Sequence, residues 1–220
     1  MIQTENIFRN RSGEVIIFLN YIISLENGNS TEPISSEVKI LRGLFFVHLY
    51  SLIESVINEL TQETLREIKS KSYPNNQFNL PFNTISLNSQ IRSLKDSGYK
   101  KYFKKVFELF DSISSSNVFD IDETMFGTFV QNIWFATIEE IFLCFGLSTS
   151  ILTISHRVLI NEIVDNRNSI SHGRKPTIEI GEKYTAAELK TKYDNVLLFL
   201  ETIISKFKTF IEQEEYIKAS

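Results

Sequence analysis

The chain has 220 residues, of which 42% are hydrophobic and 12% aromatic, and this apolar content excludes a disordered segment. Its net charge of −4 at pH 7 excludes a basic field over the whole surface, and its single cysteine excludes an internal disulfide and a cysteine-rich zinc site. We find no secretory signal and no apolar run of the roughly 18 residues that span a bilayer, so we expect a soluble, cytoplasmic protein without membrane contact.

Hydrophobic periodicity predicts a first helix over residues 4–26, which stops in a turn cluster at residues 27–30. A later start of this helix, near Ser12, is the alternative. The second predicted helix, residues 36–70, is the longest of the chain. It is apolar almost all round between Leu44 and Ile57, a pattern typical of a helix buried by neighbours on several sides.

Residues 72–125 are predicted to form an insertion between the core helices. The insertion opens with a turn-forming cluster and a loop to about residue 84, and it ends in an acidic, irregular stretch. Between these we expect a short helix over residues 88–95 and a better one over residues 99–113. The second helix carries apolar residues at helical spacing, namely Phe103, Val106, Phe107, Leu109 and Phe110.

The same helix holds the densest basic patch of the chain, with lysines interleaved among aromatic residues. Lysine and aromatic side chains together can bind single-stranded RNA through its phosphates and bases, and Lys101 and Lys104 are the candidate contacts. The alternative is a solvated helix face above a core stripe. The patch consists of Lys100, Lys101, Lys104 and Lys105.

The C-terminal half is predicted to supply the remaining core helices. A short, strand-like segment is expected at residues 177–180, and Thr185 and Glu188 form a capping box that starts the last helix. We therefore expect one all-α domain, a helical bundle with an insertion. Its core helices cover about residues 36–70, 128–145, 150–172 and 185–214.

The helix predicted to end before Gly173 is unusual, because Arg167 falls near the middle of its apolar stripe. An arginine keeps its charge, so it needs a carboxylate partner, a hydrated subunit interface or an anionic ligand. The apolar stripe consists of Leu159, Ile160, Ile163, Val164 and Ile170.

His172 lies roughly 140° from Arg167 around this helix, beside Asn168. At the helix end it also experiences the negative end of the helix dipole, which favours the imidazolium. A fixed cation and a titratable imidazole near one helix end suit chemistry at a phosphodiester.

The segment Arg167-Asn168-Ser169-Ile170-Ser171-His172-Gly173 resembles the signature of the HEPN superfamily: arginine, a polar residue, three variable positions and histidine at a helix end. The run from Leu41 to Glu54 resembles the first core helix of stand-alone, defence-associated members. The resemblance implies an all-α bundle and a metal-independent endoribonuclease that uses no cofactor and serves as a toxin or anti-phage effector. It assigns phosphorane stabilisation to Arg167, acid and base catalysis to His172, and orientation to Asn168.

The resemblance also implies a homodimer through the motif helices, an RNA substrate, and an antitoxin or defence-system protein as a further partner. We expect RNA contacts at Arg174, Lys175, Lys101 and Lys104. Supporting roles are expected for Glu54, His48 and Asp165. Glu54 and His48 belong to a polar strip of the second helix, which either faces solvent or lets Glu54 pair with Arg167 or orient His172.

Three other interpretations remain open. The first is a catalytically silent HEPN module that binds nucleotide or a partner protein. The second is a purely structural motif, in which Arg167 is a core arginine paired with an acid and His172 only caps a helix. The third is an unrelated helical adaptor, which monomeric behaviour without an effect on RNA would favour.

Overall fold

The structure is a computed structural model that describes residues 1–27 and 33–218. These two stretches contain α-helices, short 3₁₀ turns and a single isolated antiparallel bridge between Phe78 and Ile217, with no β-strand, so the expected all-α class is confirmed. The helices are α1 (Ile2–Asn27), α2 (Ser36–Ser70), α3 (Asn83–Ser86), α4 (Asn88–Lys95), α5 (Tyr99–Ile113), α6 (Phe135–Phe145), α7 (Ile154–Ser171), α8 (Thr177–Gly181) and α9 (Ala186–Glu212).

Helix α2 is the centre of the bundle, and α1, α7, α8 and α9 pack around it. Its buried side chains point in all directions, as the apolar sequence between Leu44 and Ile57 predicts. By length and composition alone α2 is apolar enough to cross a membrane, contrary to the sequence expectation. Because 56% of that apolar window is buried inside the protein, the stretch acts as a core helix in this fold.

Helix α1 starts at Ile2, so the alternative start near Ser12 is wrong. The carboxylate of Glu63 on α2 accepts the backbone N–H groups of Gln3 and Thr4 at 3.1 and 2.9 Å. A side chain distant in sequence thus satisfies donors that a local cap usually satisfies. The predicted stop at residues 27–30 falls almost entirely outside the described residues.

The predicted strand at residues 177–180 is wrong, because this segment forms the single-turn helix α8. Pro176 precedes the turn, and Ile180 is fully buried. α8 crosses α2 in backbone contact: a Cβ atom on Gly43 would overlap the Thr177 carbonyl, and one on Gly181 would overlap the backbone of α2. Two glycines therefore set the distance between these helices.

The continuous helix predicted over residues 128–145 is also wrong, since a 3₁₀ turn at residues 130–132 and an extended strap at residues 133–134 precede α6. The N–H groups of Ile133 and Phe135 bond to the Tyr50 hydroxyl and to Asn161 Oδ1 instead of to helical carbonyls. Side chains of α2 and α7 therefore keep this strap extended rather than helical.

Helices α4 and α5 have the predicted bounds, and so does the capped start of α9. The loop expected up to about residue 84 instead contains a 3₁₀ turn at residues 75–77 and the start of α3. The predicted core stripe of α5 is wrong, however, because no residue of α5 is buried. Helix α5 packs against α4 and the turn at residues 75–77. The α4–α5 hairpin is thus an outlying layer with an uncovered apolar face.

Candidate functional site

Helix α7 ends where the sequence predicts, and its end is fixed by backbone hydrogen bonds. His172 is the C-terminal cap, and Gly173 has φ +63°, the left-handed conformation that glycine adopts without strain. The N–H of Arg174 bonds to the Ser169 carbonyl at 2.9 Å, and that of Gly173 bonds to the Ile170 carbonyl at 3.1 Å. This Schellman arrangement sets where His172 stands at the helix end.

Arg167 faces α2, as its position in the apolar stripe predicts. Its guanidinium carbon lies 4.0 Å from the centroid of the Tyr50 ring, a cation–π stack. Throughout residues 1–27 and 33–218, no carboxylate oxygen lies within 4.0 Å of this guanidinium. An aromatic face and an amide therefore hold the half-buried cation, and its charge is not neutralised by an acid in that part of the chain.

The amide is that of Asn168, which is buried and accepts a hydrogen bond from Arg167 Nη1 at 2.8 Å. Its own Nδ2 donates to Asn132 Oδ1 at 3.1 Å. Asn168 thus links the guanidinium to the 3₁₀ turn before the strap. The sequence interpretation gave this residue the role of orienting His172 or the phosphate, but its side chain contacts Arg167 instead.

Tyr50 connects the arginine to the strap. Its hydroxyl oxygen accepts the N–H of Ile133 at 3.2 Å and lies 3.1 Å from both Glu54 Oε1 and the Gln131 carbonyl oxygen. The single hydroxyl proton is donated to one of these two acceptors at a time. Burial raises the pKa of Tyr50 above its ordinary value, so the ring beneath Arg167 stays neutral at physiological pH.

His172 lies on the exposed surface, and its imidazole has no hydrogen-bond partner in the part of the chain that the structure describes. Asp165 is also exposed and lies two helical turns before it, roughly 20° away around the helix. The same line of α7 continues through Val158 and Ile154, which are 63% and 81% exposed. His172 therefore belongs to a partly apolar open face, whereas Arg167 belongs to the packed one.

Two expected supporting residues occupy other positions. Glu54 is half-buried beside the Tyr50 hydroxyl, so neither Arg167 nor His172 is its hydrogen-bond or ion-pair partner. His48 lies roughly 200° from Tyr50 around α2, and its ring contacts Phe18 of α1 with 4.6 Å between centroids. His48 is therefore not part of the site.

The expected RNA contacts fall into two groups. Arg174 and Lys175 are exposed in the turn directly after His172. Lys101 and Lys104 are exposed on α5, which packs on α4 rather than on α2 or α7. Only the first pair adjoins the motif.

The opposite flank of α7 is fixed by a polar cluster around Tyr184. This hydroxyl donates to Glu162 Oε1 at 2.8 Å and accepts from Asn166 Nδ2 at 3.0 Å, while Lys192 donates to Glu162 Oε2 at 2.6 Å. Burial, reinforced by Glu162, raises the pKa of Tyr184 to about 12, so its hydroxyl remains a donor. The cluster ties α7 to α9 one turn before Arg167.

Sequence reasoning missed Tyr50 and Asn132. Tyr50 falls within the run that resembles a HEPN core helix, and it precedes Glu54 by one turn on the same face, so a weak signal was present. Asn132 gave no signal, because its partner Asn168 is distant in sequence.

The arrangement offers a positioned cation, an exposed imidazole and two adjacent basic side chains. Such groups bind a phosphate, stabilise added negative charge and transfer protons. Within the described ranges, no three His, Cys, Asp or Glu side chains cluster to hold a metal ion.

Comparison with known proteins identifies the module that carries this site. No curated protein and no solved structure matches the chain. The family model described as RiboL-PSP-HEPN matches residues 11–209, a stretch that includes α2, the whole insertion, the motif helix and most of α9. The chain therefore belongs to the RiboL-PSP-HEPN family, a branch of the HEPN superfamily.

Proposed function

We propose that this protein is a metal-independent endoribonuclease that cleaves RNA by attack of a 2′-hydroxyl on the adjacent phosphorus. The products are a 2′,3′-cyclic phosphate, or the 3′-phosphate formed from it, and a 5′-hydroxyl. RNA supplies the nucleophile itself, so the protein needs only to bind the phosphate, stabilise its added charge and move protons.

The observation that carries this proposal is the state of Arg167. A structural arginine at this depth is expected to pair with an acid, because an unpaired buried charge is costly. Here no carboxylate oxygen in residues 1–27 and 33–218 lies within 4.0 Å of the guanidinium, while Tyr50 and Asn168 fix its direction. A guanidinium that is held in place and not neutralised suits an anionic ligand such as a phosphodiester.

In this proposal the catalytic roles are those that the family resemblance implies. Arg167 stabilises the charge on the phosphorane, and His172 removes the 2′-hydroxyl proton and donates a proton to the leaving 5′-oxygen. Arg174 and Lys175 bind flanking phosphates. Asn168 acts through Arg167, which makes it a positioning residue.

Dimerisation through the motif helices is part of the proposal. One subunit places Arg167 and His172 on different faces of α7, so a single copy makes a sparse site. The line from Ile154 through Val158 to His172 is exposed along α7, and Leu198 of α9 is 62% exposed as well. A two-fold axis along this face would cover these apolar residues and place the two copies of His172 beside each other.

A toxin or anti-phage role, with a restraining partner encoded elsewhere, is the biological context that this activity suits. An enzyme that cleaves cellular RNA without a cofactor harms its own cell unless it is restrained. A cell in which the active protein stops growth, and the His172→Ala variant does not, would support that role.

The function is tested by incubating purified protein with a mixed RNA pool in EDTA. We compare wild type with Arg167→Ala and His172→Ala, and use Arg157→Ala as the matched control on the same helix. Wild type and the control should cleave and leave cyclic-phosphate ends, whereas both motif variants should be folded and slower by about 10² to 10⁴-fold.

A wild-type protein that never cleaves RNA, even with cell extract added, would contradict the proposal. The silent binding module would then be the better interpretation, and the next step would be to identify its bound nucleotide or protein.

A further inference from the structure

The outer face of α5 carries a line of aromatic rings that the fold leaves uncovered. Tyr99, Phe103, Phe107 and Phe110 are 89%, 66%, 67% and 60% exposed. Steps of four, four and three residues place these rings along one line of a helix with 3.6 residues per turn. Soluble proteins seldom expose so many aromatic rings in one patch, so this aromatic line indicates a binding surface.

Two charged side chains flank the aromatic line on one side, at opposite ends. Lys100 lies near its start and Asp111 near its end, and the two are only roughly 20° apart around the helix. Lys104 pairs with Glu108 within α5 at 3.8 Å. Lys100 and Asp111, in contrast, have no oppositely charged group within 4.0 Å among the residues that the structure describes.

The charge pattern argues against a polyanion as the occupant. Asp111 borders the C-terminal end of the aromatic line, and its carboxylate would repel phosphates of RNA or of a lipid surface. Only the N-terminal half is basic. The occupant must therefore present apolar area together with a positive group at one end and a negative group at the other.

A second copy of α5 that runs antiparallel meets these requirements. A two-fold axis through the middle of the aromatic line places Phe103 opposite Phe107 of the second copy and Tyr99 opposite Phe110. The same register brings Lys100 next to Asp111 of the second copy, twice. In a parallel pair the flank that carries Lys100 and Asp111 would face the opposite flank of the second copy, so these ion pairs would not form.

We propose that α5 is a self-association surface through which two copies of this chain pack antiparallel, with the aromatic line buried and two Lys100–Asp111 ion pairs formed. This surface is distinct from the α7 face. Because each contact is isologous, a protein that uses both faces forms assemblies larger than a dimer.

The test uses charge reversal and sedimentation velocity of the full chain without RNA. Lys100→Glu and Asp111→Lys each replace two ion pairs with two like-charge contacts, so the dissociation constant should rise at least about tenfold. The double variant restores complementary pairs. An equimolar mixture of the two single variants restores them as well, because each copy then carries what the other lacks.

Lys101→Glu is the matched control, since it makes the same charge change roughly 100° away around the helix, off the flank of the aromatic line. It should leave the assembly unchanged. Phe107→Ala should dissociate the assembly without lowering the thermal stability of the separated chains.

The proposal is overturned if the single reversals sediment like wild type, or if neither the double variant nor the mixture recovers the wild-type assembly. It is also overturned if assembly is constant while Lys100→Glu and Lys101→Glu weaken RNA binding equally. That last result would assign the surface to RNA. None of these outcomes depends on whether His172 cleaves RNA, so the two proposals fail separately.

Discussion

The α2–α7 pair and the α4–α5 hairpin both combine aromatic rings with cations, but they differ in what surrounds those groups. In the pair, Tyr50 is buried and stacks on a single guanidinium that an amide also holds. In the hairpin, the rings of α5 face solvent and the lysines are exposed. The first arrangement fixes one charge for a ligand, whereas the second presents area to a partner.

The largest difference is expected between a buried and an exposed phenylalanine. Phe46 of α2 is fully buried against Tyr184, with 4.8 Å between ring centroids. Phe46→Ala should lower the free energy of unfolding by about 3–5 kcal/mol. Phe107→Ala should change it by less than about 0.5 kcal/mol, as measured by urea denaturation at low protein concentration. Equal losses would mean that α5 is packed as tightly as α2.

Substitution of glycine by alanine should distinguish a glycine at a close contact between helices from a glycine on an open helix surface. Gly43→Ala places a methyl group against the Thr177 carbonyl, so it should destabilise the protein by about 1–3 kcal/mol, since α8 must move. Gly13 of α1 has no atom within 4 Å of an added Cβ. Gly13→Ala should therefore stabilise by roughly 0.5–1 kcal/mol. Thermal melts of the two variants should shift in opposite directions.

Two substitutions of Tyr50 should distinguish the contribution of its ring, which stacks on Arg167, from that of its hydroxyl, which holds the strap. Tyr50→Leu removes the ring beneath Arg167, so single-turnover RNA cleavage should fall about tenfold. Tyr50→Phe keeps the ring but leaves the N–H of Ile133 without its acceptor, so it should lower stability by roughly 1–3 kcal/mol. If both variants lose the same activity in proportion to stability, Tyr50 has only a structural role.

The smallest effect is expected from pH at the α1–α2 contact. Burial by itself raises the pKa of Glu63, but hydrogen bonds from the hydroxyl and amide of Thr4 and from the amide of Gln3 outweigh it and hold the pKa below its ordinary value. The stabilisation is therefore present above the pKa of the unfolded chain and is lost as the pH falls through the folded value. Wild type should lose more stability on acidification than Glu63→Gln, as measured by melts from pH 7 to pH 3.

Local signals made most of the helices predictable. Helix α5 begins after Gly98 and ends at a serine cluster, α4 ends just before the same glycine, and α9 begins at a capping box, all of which are visible in the sequence. The end of α7 was predictable for the same reason, since Gly173 follows it. These elements depend on residues within a few positions of their ends.

Contacts between distant segments explain what the sequence did not reveal. Helical periodicity identified the apolar face of α5, but periodicity cannot tell whether another element covers that face. The strap before α6 depends on acceptors from Tyr50 and Asn161, and the turn of α8 depends on Gly43. Likewise, the position of Arg167 was predictable, whereas its neighbours Tyr50 and Asn132 were not.

The turn between α7 and α8 is anchored at both ends, by the Schellman bonds after His172 and by the contact of α8 with Gly43. Arg174 and Lys175 are nevertheless exposed between these anchors, so trypsin can reach the peptide bond that joins them. A single cut there should leave two fragments that remain associated, because α7 and α9 each pack on α2. Cleavage of the Arg174–Lys175 bond should therefore divide the protein into two fragments that can reassociate, with Arg167 and His172 together on the larger fragment.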